Sequence, residues 1–409
     1  MNETIQTFLG ILRAALKQET PCIKENMTAQ EWQALFQLAG IHNVLPLFYE
    51  AVYRHPSLAG QPLLQAVKQQ VRHQVILQTM RTGEFLELND KLQAAGVKPL
   101  VVKGIVCRDL YPQPDHRPSS DEDVLIPAEQ FQLCHGVLTE FGMATQAPFD
   151  SYEIPYRKEG SPLYIELHKS LFPPENDAYG HMNRFFQQVH DRAAAVKIQG
   201  HMVYTLGPTD HLFYLICHAF KHFLHSGFGI RQVCDILLYA TKYGKEVDWA
   251  QVLADCRAIR AEKFAAAIFA MGKHHLVFDA EAAHYPESWQ QIEVDEVPML
   301  QDLLSGGLYG DSSMSRKHSS SITLDAVAAQ KAGRKAKSGL VVSVFPPKQK
   351  LERRYPYLKK HPYLLPVAWC SRLWNYGKET RHSQNNTAAD ALKIGSQRVE
   401  LMKIYGIIE

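Results

Sequence analysis

The chain has 409 residues, 46% of them hydrophobic and 21% charged, and its formal net charge at pH 7 is +2. This composition is typical of a globular protein of two or three domains, and so small a net charge says nothing about partners. The seven cysteines are scattered without a C-x-x-C pair, which argues against a disulfide framework or cysteine zinc site and favours a reducing compartment. No apolar stretch approaches the roughly 18 residues that span a bilayer, and there is no basic secretory leader, so we expect a cytoplasmic protein without a membrane span.

Residues 1–95 are predicted to form an N-terminal helical region. The sequence Thr28-Ala29-Gln30-Glu31 is a capping-box pattern in front of an apolar helical face that begins at Trp32. From Pro62 to Ala95, apolar residues recur at helical steps, and Gly96 suits the helix end. This second helix leads into the first predicted strand.

Strands and helices alternate in the next segment. We predict a strand over residues 97–102, a helix over 105–110, a strand that begins near Asp121, a helix over 128–141, and a hairpin of strands 152–157 and 163–167. The predicted fold class is therefore α+β. A small mixed β-sheet core at residues 96–200 is flanked by N- and C-terminal helical regions.

Helical periodicity returns in residues 201–305, which are predicted to form a helical domain. Residues 306–409 are predicted to hold a loop, a basic segment and a C-terminal helical tail. Gly306-Gly307 and the serine-rich run 312–321 indicate a mobile loop. The basic segment, residues 331–360, has ten Lys or Arg residues and one acidic residue, which leaves open a solvated surface or a nucleic-acid contact.

Asp121 and Asp123 begin the second predicted strand, with one residue between them. Side chains two residues apart on a strand point to the same face. Two like charges about 4 Å apart repel by about 4 kcal/mol at an effective dielectric constant near 20. A divalent metal ion would neutralise such a pair beside the core, and a solvated acidic cluster is the alternative interpretation.

Metal-assisted nucleotide transfer needs carboxylates that hold two divalent ions and backbone donors for a triphosphate. Gly104, at the predicted junction of strand and helix, can supply such donors, with Lys103 beside it. Glu166 lies on a later strand as a third carboxylate, and His168 falls on the same face. Plain surface positions for Lys103 and Glu166 are the alternatives.

These residues occur in a spaced string of short motifs. The motifs are Val102-Lys103-Gly104, Tyr111-Pro112, Arg117-Pro118-Ser119-Ser120-Asp121-Glu122-Asp123 and Glu166-Leu167-His168. The string resembles the uncharacterised nucleotidyltransferase family of the DNA polymerase β-like superfamily, and the resemblance extends over most of the chain. It implies a polymerase β-like core that binds a nucleoside triphosphate.

The resemblance also implies roles for single residues. Asp121, Asp123 and Glu166 would bind Mg²⁺, and Lys103, Gly104, Ser119 and Ser120 would face the nucleotide phosphates. Arg117 would bind phosphate or order the loop, unless it pairs with Asp109 or Asp115. Two positions depart from the family pattern, because Ile105 replaces a small residue and Glu122 replaces an apolar one. Glu122 should point to the other sheet face, so either that face is partly solvated or the strand register differs.

His218 and His222 are four residues apart on a predicted helix, a spacing that can chelate zinc, but the Glu of a zinc hydrolase motif is missing. We expect both histidines to line an acceptor cleft between the sheet and the helical domain, together with Asp235. Arg231 and Asp235 also have the spacing of a surface ion pair on a helix.

The sequence therefore predicts an enzyme that transfers a nucleoside monophosphate from an NTP, such as ATP, to an acceptor hydroxyl and releases pyrophosphate. Two Mg²⁺ ions would assist, and Glu166 or else His168 would be the base for the acceptor. Two alternatives stay open: a catalytically silent nucleotide-binding protein of the same fold, and an RNA-binding or RNA-modifying protein. The acceptor is open among small molecules, glycan precursors, peptides and proteins.

Overall fold

The computed structural model describes residues 2–307, 314–333, 345, 348–352, 354–380 and 388–409. The α-helices of the first half are α1 (Glu3–Lys17), α2 (Ala29–Ile41), α3 (Leu45–Val52), α4 (Pro62–Ala94), α5 (Gly104–Arg108) and α6 (Phe131–Glu140). Those of the second half are α7 (Pro208–His225), α8 (Ile230–Tyr243), α9 (Trp249–Ala258), α10 (Glu262–His274), α11 (Glu287–Gln290), α12 (Val297–Gly306), α13 (Met314–Lys331), α14 (Lys348–Leu351), α15 (Tyr357–Lys360), α16 (Leu365–Thr380) and α17 (Ala388–Ile404). The strands are β1 (Leu100–Val101), β2 (Glu122–Leu125), β3 (Met143–Ala144), β4 (Glu153–Lys158), β5 (Tyr164–His168), β6 (Ala194–Ile198) and β7 (His201–Thr205). The fold class is α+β, as predicted.

Both predicted N-terminal helices are confirmed. The Thr28 hydroxyl accepts from the Glu31 N–H, and the Glu31 carboxylate accepts from the Thr28 N–H at 2.7 Å, which is a complete capping box at the start of α2. Helix α4 runs for 33 residues over almost the whole predicted range. The chain continues from the C-terminal end of α4 into the first strand of the sheet.

The main sheet has the strand order β1-β2-β5-β4-β3. Strands β2 and β5 are parallel with Asp123 opposite Glu166, and the other neighbouring pairs are antiparallel. The predicted hairpin is confirmed as β4 and β5. The first strand is shorter than predicted, because Pro99 has no N–H to donate to the ladder and pairing starts only at Leu100. The helix predicted over 128–141 begins as a 3₁₀ turn and becomes α-helical at Phe131.

The two faces of the main sheet have different neighbours. One face packs against α4 and α6 and carries the apolar side chains Val101, Val124, Ile154, Ile165 and Leu167. The alternate residues Asp123, Glu166 and His168 therefore point to the other face, where α7 lies. This alternation places the polar side chains between the sheet and the helical region.

Helix α7 is fixed to the sheet near its N-terminus. The ring of buried His211 contacts the Val102 carbonyl oxygen at 2.8 Å and the Thr205 hydroxyl at 3.0 Å. The Thr205 hydroxyl in turn donates to the Val101 carbonyl at 2.5 Å. Because these groups belong to β1, β7 and α7, they set the height of α7 over the end of the first strand.

A single hydrophobic core joins α7–α10 to other parts of the chain. It includes Phe8, Trp32 and Phe48 from the N-terminal helices and Met402 and Tyr405 from the C-terminal end. The predicted divisions at residues 1–95, 201–305 and 306–409 thus share buried side chains, and the division itself stays a prediction. Among the described residues, no helix combines the length and the apolar composition that crossing a bilayer requires.

The predicted serine-rich loop is wrong for its described part. Residues from Ser315 to Ser321 lie in α13, where the hydroxyls of Ser319 and Ser320 donate to carbonyl oxygens three residues earlier in the helix. These internal bonds satisfy the polar groups that otherwise favour a turn. Residues 308–313 lie outside the described part of the chain. The predicted helical tail is confirmed in α16 and α17.

Candidate active site

A cavity of about 200 Å³ opens between the main sheet and α7. Its walls combine acidic side chains from the strands with basic and imidazole side chains from α7. The lining residues are Lys103, Ser120, Asp121, Asp123, Glu153, Glu166, His168, Leu171, Tyr214, His218, Lys221 and His222. Most of the predicted site residues are therefore gathered in one place.

Asp123, Glu166 and His168 form the centre of this cavity. One ligand atom from each lies within 4.8 Å of the others, a spacing at which the three can share a metal ion. The His168 Nε2 atom is 3.0 Å from Asp123 Oδ1 and 3.9 Å from Glu166 Oε2. The three side chains are close because of the parallel register of β2 and β5, which places Asp123 beside Glu166. His168 follows Glu166 by two residues on β5, so its side chain lies on the same face of the sheet.

The charges in the cluster shift two pKa values in opposite directions. Burial and the neighbouring carboxylates of Asp123, Asp121 and Glu153 raise the pKa of Glu166 to about 7. Burial also opposes ionisation of Asp123, but the Lys103 ammonium and the His168 ring outweigh it and hold the pKa of Asp123 below its usual range. Lys103 Nζ is 2.7 Å from Asp123 Oδ2. Four acidic side chains line the cavity against two lysines, Lys103 and Lys221.

Asp121 and Ser120 lie at the edge of the cluster. Asp121 precedes β2 by one residue and lines the same cavity, but within the described residues the group of mutually close ligand atoms does not include its carboxylate. Ser120 is exposed on the cavity wall. A metal role for Asp121 and a phosphate role for Ser120 stay predictions.

Glu122 points to the opposite face of the sheet, as predicted, but that face is not solvated there. Its side chain is fully buried, with Arg108 Nη2 donating to one carboxylate oxygen at 2.5 Å and the Ile105 N–H donating to the other at 2.9 Å. The expected register is correct, so both explanations offered for this departure were wrong. A buried arginine compensates for the acidic residue.

This arrangement accounts for Gly104. A Cβ atom on Gly104 would lie 1.8 Å from Glu122 Oε2, and the residue has a positive φ of 40°. Only glycine can occupy such a position without strain. Glu122 thus shapes the turn that carries Lys103 into the cavity.

Ser119 and Arg117 form hydrogen bonds with other side chains of the protein. The Ser119 hydroxyl accepts from Arg108 at 2.6 Å, and its N–H donates to Gln78 Oε1 of α4 at 2.8 Å. Arg117 is buried and donates to both carboxylate oxygens of Asp235, at 2.7 and 2.6 Å, rather than pairing with Asp109 or Asp115. These contacts order the loop before β2, the second of the two roles that the resemblance implies for Arg117.

Asp235 is enclosed. Besides Arg117, it accepts from the Tyr111 hydroxyl at 2.8 Å. Arg231 and Asp235 are both buried, so the predicted surface position of this pair is wrong. Burial opposes its ionisation, but Arg117 outweighs this and keeps the pKa of Asp235 below its usual range. It lines a much smaller cavity of about 20 Å³, which shares Lys103, Asp121 and His218 with the main one. An acceptor role for Asp235 stays a prediction.

His218 and His222 do line the main cavity. Their Nε2 atoms are 3.2 Å apart, and His218 Nε2 is also 3.2 Å from Lys103 Nζ. Burial, reinforced by nearby lysines, lowers the pKa of both rings well below the usual range. They are therefore neutral at physiological pH and can serve as hydrogen-bonding groups in the cleft.

Four further residues in the cavity had no role assigned from the sequence: Glu153, Leu171, Tyr214 and Lys221. Lys221 lies between His218 and His222 on α7, and burial together with Lys103 lowers the pKa of its ammonium. In the described part of the chain no hydrogen bond or ion pair to this ammonium is found. The sequence signal was its position within the histidine-rich face of α7.

The donor set fits a divalent ion. Two carboxylates, Asp123 and Glu166, supply the oxygen ligands that Mg²⁺ prefers, while the His168 nitrogen is better suited to transition metals. The raised pKa of Glu166 reflects burial and, after it, like charges that a bound cation would neutralise. Asp121 lines the same cavity, so its carboxylate is a further oxygen donor near the site.

Comparisons with known proteins identify the family of the chain. No curated protein and no solved structure matched the chain. A family model described as an uncharacterised nucleotidyltransferase matches residues 28–276, which is more than half of the chain and includes every residue that lines the cavity. The chain therefore belongs to the uncharacterised nucleotidyltransferase family.

Proposed function

We propose that the protein is a Mg²⁺-dependent enzyme that transfers a nucleoside monophosphate from an NTP to an acceptor hydroxyl and releases pyrophosphate. The observation that carries this proposal is the convergence of Asp123, Glu166 and His168 from two parallel strands in a cavity lined by lysines. Phosphoryl transfer depends mainly on positioning and on neutralising charge, and this cavity provides groups for both.

Asp123 and Glu166 would hold the ions, with Asp121 on the open side. When bound, two divalent ions would neutralise charge on the phosphoryl oxygens and orient the attacking and leaving oxygens. The Asp123 side chain is only 4% exposed and is fixed by Lys103 and His168, whereas the Glu166 side chain is 20% exposed. Glu166 is therefore better placed to take the acceptor's proton, and His168 to hold Asp123 in position.

Lys103 and Lys221 are the cations available for the triphosphate. Lys103 already contacts Asp123, so it can bridge a carboxylate and a phosphate. Lys221 faces the same cavity from α7 and brings a second ammonium toward the leaving pyrophosphate. The neutral rings of His218 and His222 lie beside it and would contact the acceptor.

Asp123→Asn tests the proposal. The amide keeps the shape of the side chain but removes the charge that binds the ions, so we expect pyrophosphate release to fall by at least about a hundredfold. The assay measures pyrophosphate from each NTP with Mg²⁺ across a panel of acceptors, and circular dichroism checks the fold. Asp150→Asn, an exposed carboxylate in the loop before β4, is the matched control and should keep full activity. Full activity of Asp123→Asn would disprove the proposal.

Calorimetry distinguishes this enzyme from a silent binding protein of the same fold. Binding of Mg-ATP or another nucleotide without pyrophosphate release on any acceptor would favour the silent protein. The buried Glu122–Arg108 pair weakens that alternative, because it accounts for one of the two motif departures that suggested it. Of the 30 residues of the basic segment that suggested RNA binding, 14 lie outside the described part of the chain.

A further inference from the structure

A short stretch near the C-terminal end of the chain has an unusually exposed apolar face. It comprises α15, the 3₁₀ turn Pro362–Leu364 and α16. Tyr363 is 73% exposed, Val367 55% and Trp374 72%. Among the described residues, no large hydrophobic side chain is more exposed than Tyr363 and Trp374.

Three of the exposed side chains share one face of the helix. Val367, Cys370 and Trp374 follow one another at steps of three and four residues on α16, and Tyr363 lies in the 3₁₀ turn directly before the helix. Cys370 is exposed as well. We call these four residues the apolar stripe. A narrow row of this kind differs from the scattered apolar residues that are normal on a surface.

The other side of the same helix is packed. Ala368 is fully buried, in a small hydrophobic cluster with Leu351 and Leu358 that is separate from the two main cores. Phe345 and Trp369 meet edge to face at 5.1 Å beside this cluster. The stretch is therefore a small folded unit with its own core, and the orientation of the apolar stripe follows from that packing.

Positive charge lies beside one end of the stripe. Residues 345–374 hold seven Lys or Arg residues and one acidic residue, Glu352, which is paired with Lys348. Arg354, Lys359 and Lys360 are exposed next to the turn where the stripe begins. An apolar helix face with Tyr and Trp near its two ends and lysines beside it is typical of a helix that lies in a membrane interface.

We propose that the apolar stripe binds the surface of an anionic lipid bilayer. Helix α16 lies in the plane of the interface, with Val367 and Cys370 toward the acyl chains and Tyr363 and Trp374 at the headgroup level. Arg354, Lys359 and Lys360 contact the acidic headgroups. This proposal does not depend on the transferase activity, since it uses none of the residues of the cavity.

The chemistry of the stripe favours lipid over other partners. Nucleic acid would be contacted by cations along the whole surface and by stacking rings, whereas here an aliphatic side chain and a thiol occupy the middle and the cations lie at one end. A second copy of the chain that paired its own stripe with this one would bring the same exposed cations, Arg354, Lys359 and Lys360, against each other. An anionic bilayer supplies both an apolar layer and negative charge.

Vesicle flotation of the full chain tests the proposal. We expect binding to vesicles that contain phosphatidylglycerol, weak binding to phosphatidylcholine alone, and a decrease with added salt. Lys359→Gln with Lys360→Gln should weaken binding by about fivefold per lysine. Trp374→Ser should weaken it by about tenfold, because the ring no longer leaves water. Ile76→Ser, a 53% exposed apolar residue on α4, is the matched control and should bind normally.

Fluorescence quenching is a second measurement, and it does not require Trp374→Ser to fold. Brominated lipids should quench tryptophan emission of the wild-type protein more than that of Trp374→Phe. Absence of binding to phosphatidylglycerol vesicles at low salt would overturn the proposal, and so would binding that neither set of variants changes. Retention on RNA that the lysine variants abolish, without vesicle binding, would assign the surface to nucleic acid. A dimer that Trp374→Ser converts to monomer, without vesicle binding, would assign it to a second copy.

Discussion

At the scale of single residues, the site depends on the buried carboxylate of Glu122. Glu122 sits between the two aspartates of the motif but faces away from the cavity, where Arg108 neutralises it. The same carboxylate accepts from the Ile105 N–H, and the same arginine donates to Ser119. One ion pair thus connects β2, the Lys103–Ile105 turn and the loop that carries Asp121.

Breaking this pair from one side should destabilise the protein strongly. Arg108→Met leaves the Glu122 charge buried without a partner, which costs about 3–5 kcal/mol of unfolding free energy. The double variant Arg108→Met with Glu122→Gln removes the stranded charge and should recover part of the loss. Denaturant unfolding measures both values.

The control for this prediction is an ion pair in a more exposed place. Arg192 donates to both carboxylate oxygens of Asp210, at 2.9 and 3.0 Å, but its side chain is 48% exposed. Arg192→Met should therefore cost no more than about 1 kcal/mol. Equal losses in Arg108→Met and Arg192→Met would contradict the structural role given to the buried pair.

At the scale of elements, the turn into α5 requires glycine at position 104. Gly104→Ala would push a methyl group against Glu122 Oε2 and force a positive φ on alanine. We expect a loss of at least about 2 kcal/mol in unfolding free energy. The nucleotide affinity should fall as well, since Lys103 loses its position.

Gly10 provides the matched glycine for this prediction. It lies within α1, and an added Cβ would meet nothing within 4 Å. Gly10→Ala should stabilise the protein by up to about 1 kcal/mol, because alanine favours the helix. Thermal unfolding of the two variants should shift in opposite directions, and a stabilising Gly104→Ala would show that the turn is looser than it appears in the structure.

Much of the sheet could be predicted from the sequence because alternation is a local property. The side-chain period of two fixed Asp123 on one face and Glu122 on the other, and the hairpin of β4 and β5 followed from its Gly-Ser-Pro turn. The hairpin of β6 and β7 was missed. Its turn is Gln199-Gly200, with positive φ at both residues, and glutamine is not a usual signal for that turn.

Pairing between distant residues could not be predicted in this way. Arg117 and Asp235 are 118 residues apart in the sequence. The residues next to each of them in the chain do not indicate that the two form an ion pair. Local spacing instead suggested Arg231 as the partner of Asp235, but in the structure Asp235 is turned toward the loop before β2. The same limit applies to Lys221, whose place in the cavity depends on how α7 is set over the sheet.

At the scale of the whole molecule, the cavity exists because α7 is held opposite one face of the main sheet. The sheet supplies the carboxylates and α7 supplies the basic and imidazole wall. His211 joins α7 to the first strand, and the Arg117–Asp235 pair joins the loop before β2 to α8. At the far end of α7, Arg398 of α17 donates to the Phe223 and His225 carbonyl oxygens. The C-terminal helices therefore support the helix that completes the site.

The Arg117–Asp235 pair makes a prediction about pH. Asp235 has a lowered pKa in the folded protein because Arg117, Arg231 and the Tyr111 hydroxyl outweigh its burial, whereas an aspartate in the unfolded chain titrates near pH 3.9. A lowered folded pKa means that the carboxylate stabilises the fold fully above the unfolded pKa and loses this contribution as pH falls through the folded value. Stability contributed by this pair is thus present at neutral pH and disappears in acid.

Asp235→Asn should therefore cost about 3–5 kcal/mol at pH 7, where it leaves Arg117 buried without its counter-ion. The difference from the wild type should shrink as the pH is lowered below about 4, since protonation removes the same charge from the wild type. Urea unfolding across this pH range measures both values, with Asp210→Asn as the control that loses a more exposed pair and changes stability by no more than about 1 kcal/mol. A constant difference at every pH would mean that the carboxylate's charge does not hold the loop to α8. The cavity would then depend on packing alone to keep its two walls together.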